Sequence, residues 1–245
     1  MLNRVVPRRY IVPSALASAA GMLFVARLSG VTTDQQGLSL AALPAGIKRG
    51  LLVGIPLAAA TFAGAFLPST RSYYRDERVV RASASSALCE IFVRIPLATA
   101  ASEELMFRSA LEAMLRRRRS SLQTLLLSNA LFGAWHVFPA LDHLSSNPPQ
   151  RADPSRTTTG KLRLLIAHCC ATAVAGLALS FLRRSSGSVV APMLAHYGVN
   201  GGAFGGSWLA SNLRTSPQRT GVHPGVGKLR RKLTNTNHAK SAVEP

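Results

Sequence analysis

EELMFR, residues 103–108, places two carboxylates and one guanidinium inside a long apolar part of the chain. In a helix, Glu104 and Arg108 are four residues apart and lie on one face, so they can form an ion pair. Glu103 points about 100° away from that face. We therefore expect Arg108 to hold Glu104, and Glu103 to face a functional site. The alternative is a solvated amphipathic helix with ordinary ion pairs, and the rest of the chain decides between the two.

The composition indicates a membrane protein made of helices. The chain has 245 residues, of which 47% are hydrophobic, and its mean hydropathy is +0.18 although it contains 29 Lys and Arg. Short basic connectors separate the apolar blocks, as in polytopic membrane proteins. We predict an all-α bundle of about six transmembrane helices. A nucleic-acid partner is not expected despite the net charge of +19, because the cations lie between apolar blocks and only 6% of residues are aromatic.

Six segments are predicted to cross the membrane and to form one domain, residues 1–210. For the first segment the alternative is a signal peptide, and we favour an uncleaved span because apolar residues continue past the candidate cleavage site at 17–19. Residues 211–245 are a basic tail without apolar periodicity, which we expect to be disordered. The spans run from Ile11 to about Leu28, Leu51 to Leu67, Ala87 to Met114, Leu122 to Leu141, Leu162 to Leu182 and Ser188 to Leu209.

The connectors predict how these spans are oriented. With six spans, the side that holds the N-terminus carries 18 Lys and Arg, and the opposite side carries 8. The positive-inside rule then places both termini in the cytoplasm of a multi-pass protein of the cell membrane. The four-arginine turn at 116–119 lies on the other side and argues against this orientation.

Two further spans carry polar residues at helical spacing. Phe132 and His136 are four residues apart, as are His196 and Asn200, so each pair lies on one helix face. At 1.5 Å per residue, Glu103 lies about 20 Å, His136 about 24 Å and His196 about 14 Å from the same membrane side. Antiparallel spans therefore bring one carboxylate and two imidazoles to similar depths. Polar groups within a membrane are costly and mark functional sites.

The remaining reactive side chains have simpler explanations. Cys89, Cys169 and Cys170 lack the spacing of a zinc site or a redox motif and are expected to be small buried hydrophobic residues. His143 is expected to be a solvated loop residue, since the segment from 143 to 160 is rich in Pro, Ser, Thr and Asn. His168 is expected to be a helix-packing histidine rather than a catalytic one.

Glu-Glu-x-x-x-Arg at 103–108, Phe-x-x-x-His at 132–136 and His-x-x-x-Asn at 196–200, on successive helices, resemble the CPBP family. This family comprises CAAX proteases and bacteriocin-processing enzymes, is also called Abi, and includes the type II prenyl-protein peptidase. The lead-in SGSVVAP at 186–192 is similar to the family as well. The resemblance covers roughly Ser83 to Leu209. Each motif is weak alone, and the three in order are specific.

The resemblance implies an intramembrane endopeptidase. In that family, the residues that match Glu103 and His136 activate the attacking water, and those that match His196 and Asn200 stabilise the oxyanion. The resemblance also implies that three residues hold the site in shape: Glu104, Arg108 and Phe132. Independently of the family, a carboxylate in an apolar cavity can move a proton from water to a leaving amine. The sequence has no Gly-x-Ser-x-Gly motif and no cysteine placed with the histidines, so we expect no covalent intermediate.

Metal dependence and function both have alternatives. Glu103, His136 and His196 could hold Zn²⁺ with one open position, but His-Glu-x-x-His is absent and Glu104 is expected to pair with Arg108. We therefore favour a cofactor-free, glutamate-dependent peptidase, and a zinc-dependent version is the alternative. The rival functions are a non-catalytic scaffold or immunity protein and a small proton-coupled transporter. The expected partners are a peptide or membrane-protein substrate and the lipid bilayer, and the sequence does not indicate which substrate.

Overall fold

The computed structural model describes residues 6–74, 76–146 and 157–215, and this part of the chain contains helices and no strand. The predicted all-α fold is thus confirmed. Residues Met1–Ser211 group into one compact unit. The predicted disordered tail falls almost wholly outside the described residues, so the domain division stays a prediction. The seven long helices are α1 Ile11–Leu28, α2 Leu43–Gly64, α3 Ala84–Arg116, α4 Ser121–Trp135, α5 Val137–Ser146, α6 Thr158–Ser186 and α7 Val190–Thr215.

Five helical stretches in the described part are long and apolar enough to cross a membrane. They are Arg8–Leu28, Thr33–Gly64, Ala84–Arg116, Ser121–Ser145 and Thr158–Ser186. The sixth predicted span is present as α7, a helix of 26 residues, but it is not among the five. Its glycines and the polar side chains of His196, Asn200 and Ser207 lower its hydropathy. Large apolar side chains are exposed along the other helices, Leu52 to 72% and Phe24 to 62% for example, as expected of faces that meet lipid.

Helix α3 carries the Glu103–Arg108 stretch and is not a regular α-helix. Two of its segments, Glu90–Ala101 and Leu105–Leu111, have π-helical hydrogen bonding, and a short α-helical piece, Ser102–Glu104, lies between them. Pro96 lies within the first π-helical segment, where it lacks an N–H and crowds the preceding turn. Such π-helical insertions are frequent at functional sites.

The fourth predicted span is two helices, and His136 occupies the break between them. Helix α4 ends at Trp135, where His136 is the C-cap with φ −83° and ψ 1°, and α5 begins at Val137. Pro139 explains the break, because a continuous helix would need an N–H at this position to reach the carbonyl of Trp135. The expectation of a loop from His143 was wrong, since α5 continues to Ser146.

Helices α2 and α7 pack closely through small residues. A Cβ added to Gly54 would lie 2.6 Å from the carbonyl oxygen of Leu194, and one added to Gly198 would lie 2.3 Å from that of Gly54. The same holds one turn further on, where a Cβ on Gly202 would lie 2.3 Å from the Ala58 oxygen. This close contact between small residues places α7, which carries His196 and Asn200, directly against α2.

The connectors meet in two groups, one at each end of the bundle. At one end, Val189 N–H donates to the Gly37 carbonyl at 3.0 Å, and Arg117 donates to the Gly30 carbonyl at 2.9 Å. At the other end, Trp208 donates to the Ala82 carbonyl at 3.0 Å. These contacts join the connectors that alternate along the chain, as antiparallel neighbouring spans require.

An ion cluster ties α5 to the connector between α2 and α3. His143 Nδ1 lies 3.3 Å from Asp76 Oδ2, and Arg78 Nη2 lies 2.7 Å from the same oxygen. Burial by itself would raise the pKa of Asp76, but the hydrogen bonds from His143 and Arg78 outweigh burial and hold that pKa well below its usual value. His143 therefore makes a defined contact rather than being only a solvated side chain.

The three cysteines are free, and none of them is buried. Cys89 and Cys170 are exposed, and Cys169 is partly exposed. The expectation of three buried residues was wrong because it treated apolar blocks as protein core. In a membrane bundle, one face of such a helix is covered by lipid and not by protein.

Candidate active site

The structure brings the four predicted catalytic residues to one cavity. The cavity has a volume of about 1100 Å³, and Glu103, His136, His196 and Asn200 all line it. Its walls also include residues from α1, α2 and α6, so every long membrane helix contributes to it. The residues carried by three separate motifs thus form one site within the bundle.

Glu103 and His136 face each other across a short gap. Glu103 Oε2 lies 3.8 Å from His136 Nε2, and both side chains are largely buried, at 12% and 15% exposure. His136 Nδ1 donates a hydrogen bond to the Phe132 carbonyl oxygen at 2.8 Å. Because a carbonyl can only accept, this contact places the proton of a neutral imidazole on Nδ1 and leaves the Nε2 lone pair facing Glu103.

The other oxygen of Glu103 accepts a hydrogen bond that the sequence did not indicate. Trp135 Nε1 donates to Glu103 Oε1 at 3.3 Å. Glu103 Oε2 is buried and has no hydrogen-bond partner in the part of the chain that the structure describes. The two oxygens of this carboxylate are therefore inequivalent, and the free one faces His136.

Glu104 is fully buried and binds two partners. Arg108 Nη1 lies 3.3 Å from Glu104 Oε1, which is the ion pair expected from the spacing, and both side chains have no exposure. His196 Nδ1 donates to the same oxygen at 2.8 Å. Glu104 therefore does more than pair within its own helix, because it also fixes the His196 ring from α7. Sequence spacing could not indicate a contact between residues 92 positions apart.

Phe132 lies at the centre of these side chains. Its ring centroid is 4.6 Å from that of His136 and 6.3 Å from that of His196, both in edge-on geometry. The Arg108 guanidinium carbon lies 3.9 Å from the Phe132 centroid, a cation–π distance. A Cβ on Gly176 would lie 2.7 Å from Arg108 Nη2 and 2.9 Å from the Phe132 ring. The absence of a side chain at 176 thus leaves room for Arg108.

A buried polar network continues from Arg108 away from the cavity. Arg108 Nη2 donates to Asn129 Oδ1 at 3.4 Å, and Asn129 donates to Ser180 Oγ at 3.1 Å. Ser180 in turn donates to Glu112, a fully buried carboxylate that also pairs with Arg116 at 3.0 Å. The network fixes α3 against α4 and α6.

Asn200 and His168 also line the cavity. Asn200 lies one turn after His196 on α7. A ligand in the cavity could therefore reach its amide. His168 also lines the cavity, and its ring lies 6.2 Å from that of His136. The ring therefore borders the cavity, and the helix-packing role expected for His168 stays a prediction.

The proposed zinc ligands do not form a metal-binding group. Across residues 6–74, 76–146 and 157–215, no three His, Cys, Asp or Glu side chains converge closely enough to hold a metal ion. Glu104 and His196 bind each other, and His136 is oriented by a backbone carbonyl. The arrangement therefore does not fit a preformed zinc site, and we assign no chemical step to a metal.

Comparison with known protein families gives a match that covers the three motifs. Residues 85–202 match the model of a family described as Type II CAAX prenyl endopeptidase Rce1-like. This segment contains all three motifs, and the match confirms the resemblance to CAAX proteases. No curated protein and no solved structure matches the chain.

Proposed function

We propose that this chain is a glutamate-dependent intramembrane endopeptidase. Its residues 85–202 match the model of the Type II CAAX prenyl endopeptidase Rce1-like family. The family implies peptidase activity in a membrane, and the proposal adds the mechanism. The observation that carries it is the pair formed by Glu103 and His136. Their facing atoms are 3.8 Å apart, and both are available to accept a proton.

The gap between Glu103 and His136 suits a shared water molecule. At 3.8 Å, Oε2 and Nε2 are too far apart for a direct hydrogen bond. A water bound by both would donate one O–H to each, because both atoms are acceptors. On attack, the water oxygen bonds to the peptide carbonyl carbon, and its proton moves to this pair. The pair then delivers the proton to the leaving amine as the C–N bond breaks.

His196 and Asn200 would stabilise the oxyanion formed by that attack. His196 donates from Nδ1 to Glu104, so a second donor at Nε2 requires the doubly protonated ring. The buried Glu104 carboxylate supplies the counter-charge for that form. The Asn200 amide offers a further N–H from the same face of α7. Two such donors, already oriented before the reaction, can contribute several kcal/mol of transition-state stabilisation, about 3–4 kcal/mol for each strong one.

A peptide assay tests this function directly. The first substrate to offer is a quenched fluorogenic peptide with a prenylated C-terminal CAAX sequence, because the family description names prenyl endopeptidases. The unprenylated peptide is the second. Protein reconstituted in lipid nanodiscs should cleave at least one of them, and Glu103→Gln, folded and inserted, should not.

The rival functions give different results in the same preparation. A scaffold or immunity protein would cleave neither peptide, and mass spectrometry of a deletion strain would reveal no accumulating uncut peptide. A transporter would give proton-coupled flux in proteoliposomes that depends on Glu103, again without cleavage. Absence of cleavage in vitro together with an unchanged peptide pool in the deletion strain would overturn the proposal.

A further inference from the structure

We propose that Trp135 is a positioning residue, whose indole N–H fixes the Glu103 carboxylate so that its free oxygen faces His136 and the reacting water. The inference rests on the proposed function, because it gives Trp135 a part in the same reaction. Trp135 itself touches neither the water nor the peptide carbonyl in this scheme. It acts through Glu103.

The carboxylate needs such an anchor. The terminal torsion of a glutamate side chain is broad, so nothing within the residue determines which oxygen faces a neighbour. Trp135 Nε1 holds Oε1 at 3.3 Å, while Oε2 faces His136 Nε2 at 3.8 Å. An indole nitrogen can only donate, so its contact with a carboxylate is unambiguous in direction. One oxygen is thus occupied and the other is kept for water.

The indole is itself held by neighbouring rings. The Trp135 and Phe107 ring centroids are 5.9 Å apart in edge-on geometry, and Trp135 packs against the cluster of Met106, Phe107 and Phe132. Phe107 belongs to the same α3 stretch as Glu103. Packing against Phe107 therefore holds Trp135 to the same helix that carries Glu103.

The position of Trp135 at the helix break makes this arrangement possible. Trp135 is the last residue of α4, and His136 is the C-cap that follows. In a continuous helix, two consecutive side chains would point about 100° apart. At the break, both reach the same carboxylate, one at each oxygen. Trp135 thus donates to one oxygen of Glu103 while His136 faces the other, and this geometry distinguishes Trp135 from an aromatic residue that serves only for packing.

The activity test removes the N–H while keeping the ring. Trp135→Phe should lower kcat about 10-fold to 100-fold with KM within twofold, since misplacing a reacting group costs rate rather than affinity. Because phenylalanine is smaller, the second variant keeps the shape: benzothienylalanine, in which sulfur replaces the indole N–H, incorporated for tryptophan in a Trp208→Phe background. Trp208→Phe alone is the matched control and should keep its activity.

The analogue separates anchoring from packing. We expect it to reduce kcat at least tenfold relative to the Trp208→Phe parent, measured on the peptide that the wild type cleaves. If the analogue-containing enzyme works within twofold of that parent, packing alone is required at position 135 and the inference is wrong. If the wild type cleaves no peptide, the proposed function fails first and this inference falls with it.

A spectroscopic measurement tests the contact without activity. The chain contains two tryptophans, Trp135 and Trp208, so ¹⁵N-labelled protein should show two indole N–H resonances. Trp208→Phe assigns them. Glu103→Ala should shift the Trp135 resonance, whereas Glu90→Gln, a change at another carboxylate of the same cavity, should not. If the Trp135 resonance does not move when Glu103 is replaced by alanine, the inference is wrong, even if the wild-type enzyme is fully active.

Discussion

Two adjacent glutamates have different environments, and this difference separates chemistry from architecture. Glu103 lines the cavity and keeps one oxygen without a protein partner among the described residues. Glu104 has no exposure and binds both Arg108 and His196. Removing the carboxylate charge of Glu103 should therefore lower activity alone. Removing that of Glu104 should lower both stability and activity.

Paired substitutions test this division. Glu103→Gln should abolish cleavage with a change in unfolding free energy within about 1 kcal/mol, because the amide can still accept the hydrogen bond from Trp135. Arg108→Leu should destabilise the protein by about 3–5 kcal/mol, because it leaves the Glu104 charge buried with one partner fewer. Thermal unfolding in detergent and cleavage assays measure the two effects. Near-normal turnover by Glu103→Gln would show that Glu103 is not the base.

Metal removal distinguishes direct activation of water by Glu103 and His136 from a zinc-dependent mechanism. If Glu103 and His136 activate water directly, thorough chelation should leave the purified enzyme active, and added Zn²⁺ should not increase its rate. Excess Zn²⁺ should inhibit if it captures the imidazoles. One tightly bound Zn²⁺ per active enzyme, lost with activity on chelation and restored with it, would establish the metalloprotease alternative instead. Elemental analysis alongside the assay distinguishes these outcomes.

Sequence spacing predicted contacts within one helix and missed those between helices. The pair of Glu104 with Arg108 follows from a separation of four residues. The bond from His196 to Glu104 and the bond from Trp135 to Glu103 join residues 92 and 32 positions apart. Such contacts depend on the rotation and depth of each helix in the bundle, and neither the periodicity nor the composition of a single segment determines these.

The position of the site within the bundle depends on close backbone contacts between helices α2 and α7. Helix α7 approaches α2 so closely that side chains at Gly54 or Gly198 would meet backbone oxygen atoms. The glycines of α7 at 198, 202 and 206 can be read from the sequence, but their contact with α2 cannot, because it depends on how the two helices pack. The break before α5 did leave a signal, Pro139, which a search for one continuous apolar span overlooks.

Substitution of these glycines should displace the oxyanion donors. Gly198→Leu would force α7 away from the Gly54 backbone, and His196 and Asn200 lie on that helix. We expect at least a 100-fold loss of kcat/KM, since misplacing catalytic groups by about 1 Å costs about that much. Gly21→Leu is the matched control, because a Cβ at Gly21 meets nothing within 4 Å. Equal loss of activity in both variants would contradict this prediction, because Gly21 makes no such contact and the loss could not then come from the α7–α2 contact.

At the scale of the whole molecule, cations are found at both ends of the bundle. Arg117 and Arg183 bind carbonyls of the first connector, Gly30 and Gln35. The sequence count favours a cytoplasmic N-terminus, while the four-arginine turn belongs to the opposite end. The contacts between connectors establish which loops lie together, but they do not assign that end to a membrane side, because orientation is a property of insertion.

Cysteine labelling of intact cells tests the orientation of the bundle and the membrane crossings of α2 and α3. In a background without native cysteines, Asp34→Cys and Arg118→Cys should react with a membrane-impermeant maleimide. Tyr73→Cys, at the other end and 81% exposed in the protein, should react only after permeabilisation. The physical reason is the excess of Lys and Arg on the side that holds the N-terminus. The opposite pattern at all three positions would reverse the orientation and leave the bundle intact. Disagreement between Asp34 and Arg118 would contradict the bundle itself, because an even number of crossings separates them.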